Sequence, residues 1–399
     1  MKYREVSMTL LLVVIYAAFI GLGVPDSLIG SAWPAIYTEM KLPVDAVSLI
    51  TLLISGCTVI SSIFSSKILN KLGTAKVTAI STAMTAVSLL GFSFAPSIVF
   101  MLPLAAVLGL GAGAIDSGLN NYIALHYKAS HMNFLHAFYG IGVTLSPYLM
   151  SVALSKTGWR DGYRYAAIVQ TVIAITVIIS IPLWKKNSEP EEESETERAE
   201  ISFGEMIKIP GLLIAFVIML ATNAIEYACG VWGGTYLVNA KDFSLEKGAA
   251  ALSLYYLGMA LGRLTSGLIS GRVKTWARIG AGLSVVFVSS VLLLLPLPAV
   301  FSVASLSLMG FGNGSIYPNL IHLTPSNFGK ENSQAVMGSL IAFAYLGVMI
   351  APPMVGFFTK IFGIGAYPIL LAALFVIMAV SVAAFVLTLK KHGKFDGNV

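Results

Sequence analysis

The chain of 399 residues is 57% hydrophobic and only 11% charged, with a mean hydropathy of +0.84, whereas soluble domains carry about 25% charged residues. This composition excludes a large soluble core and points to a lipid environment. The net charge of +6 does not indicate nucleic acid, because the basic residues scatter among short connections and form no aromatic-interleaved patch. Cys57 and Cys229 both fall in apolar segments, which supports neither a disulfide framework nor a metal site.

A helix that crosses a bilayer needs about 20 mostly apolar residues. Walking the chain gives twelve predicted spans, at 7–33, 45–69, 75–95, 98–126, 132–155, 163–184, 210–239, 246–270, 275–296, 299–323, 332–359 and 363–389. Short polar or Gly/Pro-containing connections separate them, which keeps irregular backbone out of the hydrocarbon. The first stretch is too long for a signal peptide and lacks a small-residue cleavage site, so it is expected to be a retained span. With both termini inside, seventeen of the 25 basic residues fall on inner segments and seven on outer loops, leaving Arg263 within a span. That bias assigns the termini to the cytoplasm of a cell-membrane protein.

An ionisable side chain at the bilayer centre costs at least about 2.5–3.5 kcal/mol, so each such residue is a functional candidate. In chain order they are Asp26, Asp116, Glu226 and Arg263. Asp26 follows Pro25 in GLGVPDSLIGSAWP, where two prolines and several glycines are expected to break or kink the first span and expose backbone groups to a site. Capping of a new helical segment is the alternative role for Asp26. Asp116 and Asn120 stand one helical turn apart on a face, with Asn121 beside them, while Gly109, Gly111 and Gly113 let a neighbouring helix approach closely. Burial disfavours the charged form of a carboxyl, and a carboxyl that is neutral when loaded and charged when empty links proton movement to substrate movement.

Span five opens with Asn133 and His136, residues of a loop or gate. The stretch 185–209, which contains KKNSEPEEESETERAEIS, is acidic, lacks apolar periodicity and reads as a cytoplasmic linker between residues 1–184 and 210–399. In span seven, Asn223, Glu226 and Tyr227 share one face and offer donors, acceptors and a ring to a polyol; a helix–helix hydrogen bond is the alternative. Trp33, Trp232 and Tyr236 are candidate stacking partners for a sugar face, or else interfacial anchors. Arg263 in span eight is expected to pair at the cytoplasmic gate, unless the substrate is anionic. Span ten contributes Asn313 and Tyr317 at i and i+4, and Gln334 at the start of span eleven carries little information.

The two halves resemble one another. GLGAGAID (Gly109 to Asp116) parallels GFGNGSIY (Gly310 to Tyr317) at an offset of 201, and SKILNK (Ser66 to Lys71) lies opposite GLISGR (Gly267 to Arg272) at the same offset. GVTLSP (Gly142 to Pro147) matches GVMIAP (Gly347 to Pro352) at 205, and Glu226 follows Asp26 at an offset of 200. An internal duplication of six spans follows. The expected fold is an all-α integral membrane protein with twelve transmembrane helices in two pseudo-symmetric six-helix bundles, a layout of transporters whose halves rock about a midplane site.

SKILNKLGTAK, from Ser66 to Lys76, resembles the signature loop of the major facilitator superfamily between spans two and three. Ser66 and Asn70 stand where that signature carries Gly and Asp, which removes the acid of its ion-pair latch. GRLTSGLISGR, from Gly262 to Arg272, is the closer copy. The resemblance implies gating roles for Lys71, Gly73, Arg263 and Arg272. The acid after the glycine run of span four, followed by Asn120, together with NFLHAFYGIG (Asn133 to Gly142) and NAIEYACGVW (Asn223 to Trp232), is similar to the proton-coupled fucose, glucose and galactose symporters. That similarity implies proton coupling through Asp116 and Asp26, and the repeat adds Glu226 as a third coupling candidate. It also implies substrate binding through Asp26 and Asp116, and the helix faces, repeat and polar chemistry add Asn120, Asn121, Asn223, Glu226, Tyr227, Trp232, Asn313 and Tyr317 as substrate-binding candidates.

No phosphate loop, HExxH pair or paired-Cys motif occurs, and the Gly-x-Gly-x-Gly runs follow no strand, so no enzyme, cofactor or metal is expected. The expected function is secondary active transport by alternating access, driven by a proton gradient, with uptake of a neutral monosaccharide by a monomer in the bilayer. A proton-coupled exporter of drugs or lipophilic cations, an uncoupled sugar facilitator and a non-transporting sensor are the rivals.

Overall fold

The computed structural model of the chain describes residues 2–127, 129–187, 203–329 and 333–395; the central part of the expected acidic linker, 188–202, lies outside the described residues. Every regular element among the described residues is helical. The chain divides into two compact units, Met1–Ser194 with Phe243–Ser253, and Glu195–Asp242 with Leu254–Val399.

The first unit holds α1 (Lys2–Asp26), α2 (Leu28–Glu39), α3 (Val47–Leu72), α4 (Thr74–Phe94), α5 (Ile98–His126), α6 (Ala129–Leu154) and α7 (Trp159–Asn187). The second contains α8 (Phe203–Met206), α9 (Leu212–Lys241), α10 (Leu245–Leu268), α11 (Thr275–Leu294), α12 (Ala299–His322), α13 (Thr324–Phe328), α14 (Ser333–Phe362) and α15 (Tyr367–Lys391), with the first turns of α10 grouped with the first unit. Eleven stretches among the described residues are long and apolar enough to cross a membrane. The twelfth expected span, α10, is long enough at 24 residues but carries Glu246, Lys247 and Arg263, which lower its hydropathy. Large apolar side chains face outward, among them Ile63 at 70% exposure, Ile179 at 72% and Leu268 at 77%. Soluble proteins avoid such continuous apolar surface; a protein solvated by lipid tails requires it.

The duplication seen in sequence is repeated in backbone geometry. Lys41 and Asp242, which the repeat places opposite one another, are the non-glycine residues with positive φ among the described residues, at 53° and 56°. Both end a helix in the left-handed conformation that stops it. Gly158 and Gly363, likewise repeat partners, turn the chain before α7 and α15 with φ of 115° and 78°.

The glycine runs show the same pairing in packing. A Cβ on Gly109 would collide with the carbonyl of Ile54, one on Gly111 with that of Ser81, and one on Gly113 with that of Thr58, so α5 lies against both α3 and α4 at backbone distance. Gly310, Gly312 and Gly314 meet the carbonyls of Tyr255, Gly282 and Met259, and each of these partners is the repeat equivalent of the one in the first unit. Small residues allow this approach where apolar side chains gain nothing by leaving lipid. Hydroxyls follow the close contact: Ser61 Oγ donates to Leu110 O at 2.6 Å and Thr58 Oγ1 to Gly109 O at 3.2 Å.

The α1–α6 pair has its counterpart in α9–α14. Gly142 abuts the Ile20 carbonyl, and its repeat partner Gly347 abuts that of Leu220. On its other side α1 packs Leu11, Ile15 and Phe19 into one buried cluster with Ile115 and Leu119 of α5 and Val177 and Trp184 of α7. Gly142→Val and Gly347→Val are expected to destabilise the protein to similar extents, by about 1–3 kcal/mol each. Gly56→Ala, where nothing lies within 4 Å of the added carbon, should leave stability unchanged or raise it. Thermal unfolding in detergent checks all three.

Candidate functional site

The break expected in the first span occurs at Ser27, between α1 and α2. Pro25 has no N–H to offer the carbonyl of Gly21, and Ser27 adopts φ −101° and ψ −5° before α2 begins. A second proline explains why Ser27 stands there. Pro147 in α6 cannot bond the carbonyl of Val143, four residues before it, and Ser27 Oγ supplies the missing donor at 2.8 Å. Ser27 and Ser146 also share a hydrogen bond of 2.7 Å.

This arrangement sets Asp26 beside α6, where Tyr139 Oη donates to Asp26 Oδ2 at 2.7 Å. Both residues are half-buried. On α5, Asn120 Nδ2 donates to Asp116 Oδ1 at 2.8 Å and to the Asp116 carbonyl at 2.9 Å, so the amide one turn on holds the carboxylate against its own helix. The side chains of Asn121 and Asn133 lie outside the described residues.

In the second unit, Glu226 Oε2 pairs with Arg263 Nη2 at 3.2 Å, joining α9 to α10, with the side chains 12% and 24% exposed. Tyr255 Oη donates to the Glu226 carbonyl at 3.3 Å. The repeat therefore gives the two acids different partners: Asp26 meets a phenol and Glu226 a guanidinium. Ser62 occupies the repeat position of Arg263.

The other candidates in this unit serve backbone groups. Asn313, 1% exposed, donates from Nδ2 to the Thr222 carbonyl at 2.9 Å and so ties α12 to α9. Its Oδ1 is buried without a hydrogen bond among the described residues. Trp232, fully buried, donates to Pro352 O at 3.1 Å. Asn223 Nδ2 returns to the Met219 carbonyl at 2.9 Å. Tyr227 and Tyr317 are half-buried on α9 and α12.

Among the gating candidates, Lys71 and Arg272 are exposed, and Gly73 makes the turn between α3 and α4 with φ 78°. Tyr139 and Ser27 were not singled out from sequence. Tyr139 stands one turn after His136 and one before Gly142, and its partner is 113 residues away; no local pattern carries that pairing. Ser27 shows in sequence only as the neighbour of Asp26.

A sequence profile described as the Major Facilitator Superfamily matches residues 11–341. Among curated proteins, "Bypass of stop codon protein 6" of Saccharomyces cerevisiae is 21% identical over 280 residues, covering 64% of this chain and 56% of that protein. "Probable hexose phosphate transport protein" of Chlamydia trachomatis is 23% identical over 165 residues, covering 35% and 36%. The chain thus spans 56% and 36% of the length of these relatives. The crystal structure of a mutant of nucleoside transporter NupG superposes with a TM-score of 0.74 at 13% identity, over 98% of this chain and 100% of that one. A bacterial homolog of the human lysosomal transporter Spinster, inward-facing and unoccupied, gives 0.72 at 13% identity, over 100% and 99%. At that identity the likeness shows the fold alone.

Glu226→Gln and Arg263→Gln should each leave one buried charge unmatched and cost about 1–3 kcal/mol. The double variant should lose less than the two singles together. A double-mutant cycle by thermal unfolding measures the difference.

Proposed function

The chain belongs to the major facilitator superfamily, a family of multi-pass membrane transporters and not of enzymes, and we propose that it carries a neutral monosaccharide inward together with a proton. The observation that carries this reading is the hydrogen bond from Tyr139 to Asp26 at the break of the first span. A phenol both donates and accepts. It donates to the carboxylate when Asp26 is charged and accepts from the carboxylic acid when Asp26 is protonated, so the contact survives the gain or loss of a proton. Glu226 differs, since protonating it would forfeit its charge attraction to Arg263. Asp26 is therefore the proton carrier in this reading, with Asp116 linked to substrate through Asn120, and Glu226 paired with Arg263.

A neutral substrate fits the pairing of Glu226 with Arg263, which leaves the guanidinium already matched by a carboxylate. Hydroxyls suit the carboxylates and amides of the candidate set, and the Chlamydia relative named as a hexose phosphate transporter supports a sugar. The energy source is the proton gradient, and no cofactor takes part. Protons enter at Asp26 from outside, closure follows, and sugar and proton leave on the cytoplasmic side, where the basic-residue bias assigns both termini. The carrier works as a monomer.

Arg263 together with the Chlamydia relative favours a second reading, uptake of a sugar phosphate, in which the substrate anion displaces Glu226 from the guanidinium.

Purified protein in liposomes with an interior pH dye separates these readings. Adding monosaccharides outside wild-type vesicles should acidify the interior, and Asp26→Asn should abolish acidification while sugar exchange across the membrane persists. Tyr139→Phe removes a hydrogen bond to a charged group, worth about 1.5–3 kcal/mol, and should slow acidification roughly tenfold or more. Uptake of hexose phosphates in place of free sugars supports the second reading. Sugar entry without acidification would identify a facilitator, and exchange of lipophilic cations for protons an exporter; either result overturns the proposal.

A further inference from the structure

Arg278, in the first turn of α11, is 8% exposed. Its Nη1 donates to Ser266 O at 3.1 Å and to Ser266 Oγ at 3.3 Å, and its Nη2 to Thr275 Oγ1 at 2.9 Å. Asn319 Nδ2 completes the polar cluster by donating to Ser266 Oγ at 2.8 Å. All these acceptors are neutral. No ion pair to Arg278 forms among the described residues, and its Nε is buried without a hydrogen bond. A guanidinium does not escape burial by losing its proton, and a buried charge without a counter-charge is costly. Nothing in the duplication demands this residue, because Val77 occupies the same place in the first half.

Arg278 lines a pocket of about 80 Å3 among α10, α11 and α12, together with Ser266 and Ser315 on the polar side and Ile269, Val285 and Phe311 on the apolar side. Beside the exposed lining residues Thr265 and Ala281 the helix faces carry outward apolar side chains, Leu261 and Leu268 on α10 and Val288 on α11, at 46%, 77% and 49% exposure. Exposed Arg272 and Lys274 lie at the same end, immediately before α11. A buried cation in a slot with apolar walls, in a lipid-solvated surface with further cations at the same end of α11, matches an anionic amphiphile.

We propose that this slot binds an anionic phospholipid, with its phosphodiester taken by Arg278 and an acyl chain along α10 and α11. A phosphate oxygen would accept from the guanidinium in a charge-assisted hydrogen bond, and Arg272 and Lys274 would attract the headgroup to its leaflet. Free phosphate has the same anionic chemistry, but the apolar walls favour the lipid.

Native mass spectrometry and thermal unfolding of the full chain in neutral detergent test this, with phosphatidylglycerol, phosphatidylcholine or inorganic phosphate added. Wild type should retain phosphatidylglycerol as a bound adduct and unfold at a higher temperature with it, with neither effect from phosphatidylcholine or phosphate. Arg278→Gln should lose both effects. Ala281→Trp, which fills the slot from its rim while keeping the guanidinium, should lose them too, and it decides the matter if Arg278→Gln does not fold. Equal responses of wild type to the two lipids overturn the proposal, as does an undiminished phosphatidylglycerol effect in a folded variant. A shift produced by inorganic phosphate alone would assign the site to the free anion and overturn the lipid.

Discussion

Hydrocarbon offers no donor to a carbonyl that its own helix leaves unpaired, so every such group has to be satisfied from within the protein. Pro147 creates one of these groups at Val143, and Ser27 satisfies it across the gap between two helices. That single bond links the proline of α6 to the break in the first span. It holds the end of α1 against α6, and so brings Asp26 to the hydroxyl of Tyr139. In the second unit Trp232, on the helix that repeats the first span, donates to the carbonyl of Pro352 and ties α9 to α14. The break beside Asp26 is thus held by a backbone group that needed a partner.

The duplicated architecture makes the differences between its copies informative. Glycines, left-handed turns and helix pairs recur at a nearly constant offset, because helices that approach at backbone distance leave no freedom to vary. Side chains that do not set the spacing are free to diverge. Asp26 and Glu226 occupy related positions, yet a phenol tolerates both protonation states of its acid while a guanidinium stabilises only the anion. Arg278, with Val77 as its counterpart, is a second departure from the repeat, and the helix faces around its slot carry outward apolar side chains.

Most of the helical architecture is legible in the sequence. Spans expected at 98–126 and 275–296 correspond to helices Ile98–His126 and Thr275–Leu294, because about 20 apolar residues in lipid have essentially one solution, a helix with its hydrogen bonds internal. The break near Asp26 was readable too, because Pro and Gly act through the backbone of their own segment. The pairing of side chains was less accessible. Asp116 with Asn120 is an i, i+4 contact, visible from helical spacing. Asp26 with Tyr139 spans 113 residues and Glu226 with Arg263 spans 37, separations at which spacing carries no information.

The sequence by itself determined that the chain is a membrane-embedded bundle of helices, duplicated, with a few costly polar groups inside it, because hydrophobicity, helical period and repeat offset are properties of the chain read in order. Tertiary structure alone decided which polar groups of different helices meet. It gave Asp26 a phenol, Glu226 a guanidinium, and Arg278 only neutral acceptors among the described residues, because a partner is chosen by the packing of distant helices, and that packing is set by glycine contacts and unpaired carbonyls that no single segment contains.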